Sequence, residues 1–302
     1  MRRITTDTLV QAERDHAQAV RAYVKTKNEA YQRELFQVVA AVVPAALDYN
    51  ASKNIGDWSW LENFLLADVA TLKKLTEEKP ALLQFGQFKK LYKNRFCNGS
   101  SHYVDDTSKY NAYTFIENLG VKVCPYCDEE YLDVLEQDGI PTQRTLELDH
   151  FFPKSLFPAL AMCFYNLVPS GQSCNGIKKE RLLGMSPYEK NIEECTRLSP
   201  DLPIGINMEH ISPEECEIHF HAVGGMQENV SVFCLEQRYL RHKGEAHRYL
   251  LLKQTCGEEK IAELVNMGLF STVEQAREIL YGVTDSNQQL LQKLKHDILD
   301  RQ

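Results

Sequence analysis

Four short stretches of this 302-residue chain hold residue types that can do chemistry. Cys124 and Cys127 stand as C-P-Y-C, and Cys174 opens C-N-G-I-K-K. A C-x-x-C pair puts two thiolates within reach of one ion, and Zn²⁺ takes four such ligands. The same pair also fits a redox couple or two core thiols in a reducing cytosol. Asp149 and His150 stand together in T-L-E-L-D-H-F-F, Asn166 lies in F-Y-N-L-V, and Asn175 follows Cys174. A hard divalent cation binds carboxylate and amide oxygens, which Asp149 and Asn175 supply, and an imidazole beside it can act as a general base on water. Lys178 and Lys179 follow Asn175 at i+3 and i+4, so one helical face would offer an oxygen ligand and two ammonium groups for phosphate. Taken singly, these residues read as a turn aspartate, a satisfied core histidine and a solvated lysine pair. Taken in this order with the cysteines, they read as a site.

The elements that must position them can be sketched from pattern. TLELDHFF (145–152) reads as a strand. Neighbouring side chains on a strand face opposite ways, so Asp149 and His150 share a site only if the strand ends or bends there, which Phe151-Phe152-Pro153 favours. FYNLV (164–168) reads as a second strand, Pro169-Ser170-Gly171 as a turn, and about Gln172–Leu183 as a helix that Gly184 closes. Upstream, apolar periodicity predicts helices over 7–48 with an interruption at Pro44, near Trp58–Leu75, and over about Pro80–Tyr92. Between Asn98 and Gly139 the pattern breaks into loops and short segments. Downstream, Cys216–Ala222 alternates, Gly224-Gly225 turns, and Val230–Cys234 alternates again, which predicts a β-hairpin. A helical tail follows from Leu235, with a capping box at Ser271 and Glu274, a C-terminal Gly282, and a last amphipathic helix carrying Leu290, Leu291, Leu294 and Ile298. The expected class is α+β: a mostly helical chain around a small strand–strand–helix centre. The expected divisions are 1–97, a helical region; 98–190, the chemical centre; and 191–302, an acidic segment, a hairpin and C-terminal helices.

Composition sets limits on function. With 43% hydrophobic residues the chain can bury real cores, and 34 basic against 42 acidic side chains give −8. That charge is uneven, because 192–236 holds nine acids (Glu193, Glu194, Asp201, Glu209, Glu214, Glu215, Glu217, Glu228, Glu236) against Arg197 alone, which by itself gives −8. The remainder is neutral and contains basic clusters at Lys89, Lys90, Lys93 and Arg95, and at Lys178, Lys179 and Arg181, so local nucleic-acid binding is open to it. The acidic segment reads as a solvated surface or a docking face for a basic partner. No uncharged run reaches the roughly 20 apolar residues of a spanning helix, and no secretion signal stands at the N-terminus, so the expectation is a cytoplasmic protein without a membrane span. Nine cysteines in a reducing compartment are then core thiols, ligands or nucleophiles.

At VCPYC, ELDHFFPKS, FYNLVPS and SCNGIKK the chain resembles the HNH endonucleases, whose ββα-metal core reads C-x-x-C, DH, N and C-N-x-x-K in that order. The resemblance is specific over about 110–185. It extends more loosely from 110–120 to 235–243, a layout similar to HNH subunits of bacterial anti-phage systems of the Septu type, some of them associated with retrons. The resemblance implies a catalytic set of Asp149, His150, Asn166 and Asn175. His150 would be the general base that activates water against a DNA phosphodiester, Asp149 and Asn175 would hold one Mg²⁺ or Mn²⁺, and Asn166 would orient the base and tie the two strands together. Lys178, Lys179 and Arg181 would contact nucleic acid. Cys124, Cys127 and Cys174 would bind a structural zinc, but Gly171 stands where the family has a fourth cysteine, which leaves that ligand open with Cys163 and the other histidines as candidates. The implied partner is an ABC-type ATPase subunit of a defence complex. Two other readings remain at this stage: a zinc-stabilised adaptor that binds nucleic acid or protein without cleavage, and a nuclease directed at RNA.

Overall fold

A computed structural model describes residues 1–46, 56–78, 80–97, 110–137, 140–201, 212–283 and 288–299. The fold is α+β, rich in helix, with three small antiparallel sheets of two strands each. Two compact units account for the chain. The N-terminal unit comprises Ile4–Cys124 and Leu132–Leu182, and the C-terminal unit comprises Met1–Arg3, Pro125–Tyr131 and Leu183–Gln302. The expected boundaries at 97 and 190 do not coincide with this division.

In the N-terminal unit, α1 (Leu9–Lys25) buries Ala12, His16, Ala17, Val20 and Val24 along one face, and α2 spans Glu29–Ala46. The single helix expected over 7–48 is therefore two. The break comes at Asn28, whose Oδ1 accepts the Tyr31 N–H in the manner of an N-cap. Helix α2 continues two residues past Pro44 instead of stopping there, and residues 47–48 lie outside the described residues. Likewise α3 (Ser59–Leu65) and α4 (Val69–Glu78) replace one helix over 58–75, with Asp68 Oδ1 capping the Thr71 N–H. The stretch expected as a helix over 80–92 holds a 3-10 turn (Leu82–Gln84), α5 (Gln87–Leu91) and a π turn (Tyr92–Phe96) that the Cys97 N–H closes on Tyr92 O at 2.8 Å. Helix α6 (Ala112–Leu119) starts at Asn111, which accepts two backbone N–H groups, and ends at Gly120 with φ +69°.

The core of this unit closes around His16. Its Nε2 lies 2.7 Å from Met162 O and its Nδ1 3.2 Å from Tyr110 Oη, inside a ring of Phe96, Tyr110, Phe115 and Phe164. Burial pulls the imidazole pKa down from 6.5 to about 4, so it stays neutral in the core.

Strands β1 (Val134–Gln137) and β2 (Ile140–Arg144) form a hairpin in a region with no strand signal, and β3 (Leu146–His150) pairs with β4 (Leu167–Gly171), Leu146 opposite Gly171 and His150 opposite Leu167. Three expectations shift here. Asn166 belongs to a 3-10 turn (Phe164–Asn166) just ahead of β4. Pro169-Ser170-Gly171 is strand and not turn, which a sheet of two edge strands tolerates. Helix α7 is Gln172–Lys178, stopped by Lys179 at φ +49° well before Leu183 and Gly184.

The C-terminal unit corrects the expected hairpin. Strand β6 (Glu217–Ala222) pairs with β5 (Thr196–Asp201), and residues after the glycine turn form α8 (Met226–Phe233). Val230, Val232 and Cys234 do alternate, but Met226, Val230 and Phe233 recur at i, i+4 and i+7 and are buried, so the helical period wins. Helices α9 (Leu235–Tyr239), α10 (Lys243–Thr255), α11 (Glu258–Asn266), α12 (Val273–Tyr281) and α13 (Gln292–Leu299) follow. Leu198, Ile218, Tyr239, Tyr249, Ile261, Leu294 and Ile298 form their shared core. The cap of α12 is Thr272, which accepts the Gln275 N–H, one residue later than the expected Ser271 and Glu274. Gly282 closes α12 at φ +63°. Buried Asn229 holds the segment before α8 by accepting from the Gly184 and Met185 N–H groups and donating to Met185 O. There Gly184 and Gly225 pack backbone to backbone, leaving no room for a Cβ on either. Among the described residues no helix is long and apolar enough to cross a membrane.

Candidate functional site

Strand β3 ends at His150, and Phe151–Phe152 bend away from it, so Asp149 and His150 both line one cleft instead of facing opposite sides. The cleft, about 640 Å³, is also lined by Asn175 and Lys179 at the end of α7, by Lys154, and by Lys89, Tyr92 and Lys93 from α5 and the π turn. Every one of these residues belongs to the N-terminal unit.

His150 is held as a neutral imidazole. Its Nε2 lies 3.1 Å from Ala161 O, and a carbonyl only accepts, so this nitrogen carries the proton. Burial, and next the charge of Lys154, hold the imidazole pKa well below 6.5. The ring is therefore neutral and its lone pair sits on Nδ1, 3.4 Å from Lys154 Nζ. The Tyr92 ring packs edge-on against it at 4.4 Å, and the Tyr92 hydroxyl donates to Leu148 O.

Asn166 braces the turn that presents the Ala161 carbonyl to His150. Fully buried, it accepts the Phe152 N–H at 2.7 Å through Oδ1 and donates through Nδ2 to Phe152 O and to Leu160 O, the residue before Ala161. Its side chain ties the exit of β3 to the 3-10 turn Pro158–Met162 and commits both of its N–H donors to backbone carbonyls.

Asp149 already faces a cation. Lys178 Nζ lies 3.1 and 3.2 Å from its two oxygens and donates to His150 O at 2.8 Å, with both side chains buried. Burial lowers the Lys178 pKa, and Asp149 opposes that shift. Lys178 is thus a strut beneath the site and not a surface phosphate contact, and it does not share an exposed face with Lys179. Asp149 brings a carboxylate and Asn175 a side-chain amide to the same cleft. A carboxylate and an amide are the hard oxygen donors that fit Mg²⁺ or Mn²⁺. Arg181 is exposed and is not among the residues that line the cleft.

The cysteines form a second group. Ligand atoms of Cys124, Cys127, Cys174 and Glu130 all lie within 4.8 Å of one another, the cysteines buried and Glu130 half-buried, and this group could bind a metal such as zinc. A tetrahedron with Zn–S bonds of about 2.3 Å separates its sulfurs by roughly 3.8 Å, which this spacing accommodates, and glutamate is an ordinary zinc ligand. Cys163, whose thiol donates to Phe64 O, is not in this group, and no histidine among the described residues joins it. The spacing C-x-x-C-x-x-E was the signal for Glu130 in the sequence, hidden among the consecutive acids Asp128, Glu129 and Glu130. Tyr92 and the Ala161 and Leu160 carbonyls carried no signal, because packing alone brings them to the site. The acidic segment contributes nothing to the cleft lining, and Glu209 lies outside the described residues.

No protein-family model, no curated protein and no solved structure matches this chain.

Proposed function

We propose that this chain is a metal-dependent endonuclease of the HNH type that hydrolyses DNA phosphodiester bonds in the cleft of the N-terminal unit. The observation that carries the reading is His150: its Nε2–H is fixed on Ala161 O, which leaves Nδ1 as the basic nitrogen in a cleft that also holds Asp149, Asn175 and lysines. In the proposed reaction a water oxygen attacks phosphorus in line as Nδ1 takes its proton, and the P–O3′ bond breaks. Asp149 and Asn175 would hold a Mg²⁺ or Mn²⁺ ion. When bound, such an ion supplies charge stabilisation for the phosphorane oxygens and the leaving oxygen. Asn166 braces the turn that presents the Ala161 carbonyl to the imidazole. Lys178 orients the Asp149 carboxylate. The group Cys124, Cys127, Glu130 and Cys174 would hold a structural Zn²⁺.

The sequence resemblance supports placing the nuclease in an anti-phage complex beside an ABC-type ATPase. Incubating the purified chain, and whatever co-purifies with it, with labelled DNA and RNA side by side in Mg²⁺ or Mn²⁺ tests the reading. Metal-dependent cutting of DNA is expected. Binding without cutting would instead support an adaptor, and cutting confined to RNA would move the substrate.

A further inference from the structure

Part of the cleft lining comes from a segment with no chemical motif. Helix α5 and the π turn after it place Lys89 and Lys93 four residues apart on one side, and both line the cleft. A π turn is a rare, weakly bonded conformation that concentrates at functional sites. Here it seats Tyr92 against His150 while Lys93, the next residue, is exposed. Lys154 lies 5.2 Å over the Tyr92 ring, and Lys179 is the first central residue of a turn closed by the Arg181 N–H on Lys178 O. At φ +49° and ψ −116° Lys179 occupies the conformation of a type II′ turn, where glycine is the usual residue. A lysine held there at a cost in backbone strain points to a need for its side chain.

Four lysines therefore line the cleft, against Glu147, Glu180 and an Asp149 already matched by Lys178. Lys89, Lys93 and Lys179 have no ion pair among the described residues. One phosphodiester reacting at His150 has no use for four lysines from three segments of the chain; a strand that runs through the cleft does.

We propose that Lys89 and Lys93 form a phosphate-binding track for the DNA strand beyond the scissile phosphate, so that the N-terminal helical region is part of the substrate site. The proposal rests on the nuclease reading for the identity of the polymer, but its test does not depend on cleavage. DNA affinity is measured in EDTA as a function of salt for the wild type, for Lys89→Ala with Lys93→Ala, and for a control with Lys90→Ala and Arg95→Ala, which removes the same charge from the same segment outside the cleft lining. Each lost phosphate contact lowers the log–log salt slope by about 0.9. The cleft double variant is expected to lose about 2 from the slope and tenfold or more in affinity at 0.1 M salt, and the control to keep both. Equal loss in the two double variants, or no loss in either, overturns the track. Absence of metal-dependent cutting by the wild type, with the slope difference intact, overturns the nuclease reading and leaves the track standing.

Discussion

Each unit of the molecule buries a carboxylate among cations, and the two differ in what surrounds the pair. In the C-terminal unit Glu129 receives Arg238 Nε at 2.6 Å and lies 2.7 Å from His242 Nε2, so its oxygens are enclosed by protein partners. Burial pushes the Glu129 carboxyl up, but His242 and Arg238 outweigh it and the net shift is down. In the N-terminal unit Asp149 has Lys178 below it and a cleft above it, and the neighbouring His150 turns its basic nitrogen to the Lys154 side of the same cleft. The first arrangement is complete in itself and holds a fold together. The second borders a volume that a ligand can enter, as a reactive site needs.

Removing one cation from each pair separates the two cases. Lys178→Ala removes a buried ammonium from the carboxylate of Asp149, and we expect a loss of about 3–5 kcal/mol in urea unfolding. Arg238→Ala leaves Glu129 with His242, and the expected loss is about 1–2 kcal/mol. Losses of equal size would erase the distinction between an enclosed pair and one half-open to a cleft.

His16 provides a pH readout for the core behind the site. Its folded pKa, about 4, lies below the ordinary 6.5, so the fold disfavours the protonated ring. The stability this contributes is fully present above pH 6.5 and is lost as pH falls from 6.5 toward 4, by about 3 kcal/mol. We expect the difference in unfolding free energy between wild type and His16→Gln to shrink by about that amount across the window. A pH-independent difference would mean that His16 is solvated.

The smallest expected effect concerns Lys179. Replacing it with glycine relieves the positive-φ backbone and should stabilise the chain by about 1 kcal/mol, while DNA affinity in EDTA falls and the salt slope drops by about 1. A variant that is less stable than wild type would show that the turn is unstrained.

How far these features could be read from sequence depends on the range of the interaction that sets them. Asp149 and His150 converge because β3 ends where Phe151-Phe152-Pro153 signals an end, and that signal is local. Caps such as Asn111 and terminators such as Gly120 and Gly282 are local too. The fate of Lys178 was not legible, because α7 stops at a lysine in a glycine-like conformation while Gly184, the obvious stop, lies further on and packs against Gly225. The alternation in Cys216–Ala222 identified a strand, but its partner is Thr196–Asp201, a segment with Ser199 and Pro200 that no propensity would select. The basic residues Lys89 and Lys93 stood out as charge, and what brings them to His150 is the packing of α5 on the 3-10 turn Pro158–Met162, a long-range contact without a sequence mark. Glu130 sat in an acidic run in which only the folded loop singles out one carboxylate.

Cutting of supercoiled circular DNA by the wild type and by His150→Ala, in Mg²⁺ or Mn²⁺ and in EDTA, with circular dichroism to show that the variant is folded, is the most direct measurement of whether this cleft hydrolyses phosphodiesters. We expect nicked or linear product only with metal and only with His150 in place, and a fall of at least about 100-fold in the variant. Equal cutting by His150→Ala, cutting that persists in EDTA, or no cutting by the wild type in either metal would contradict the assignment.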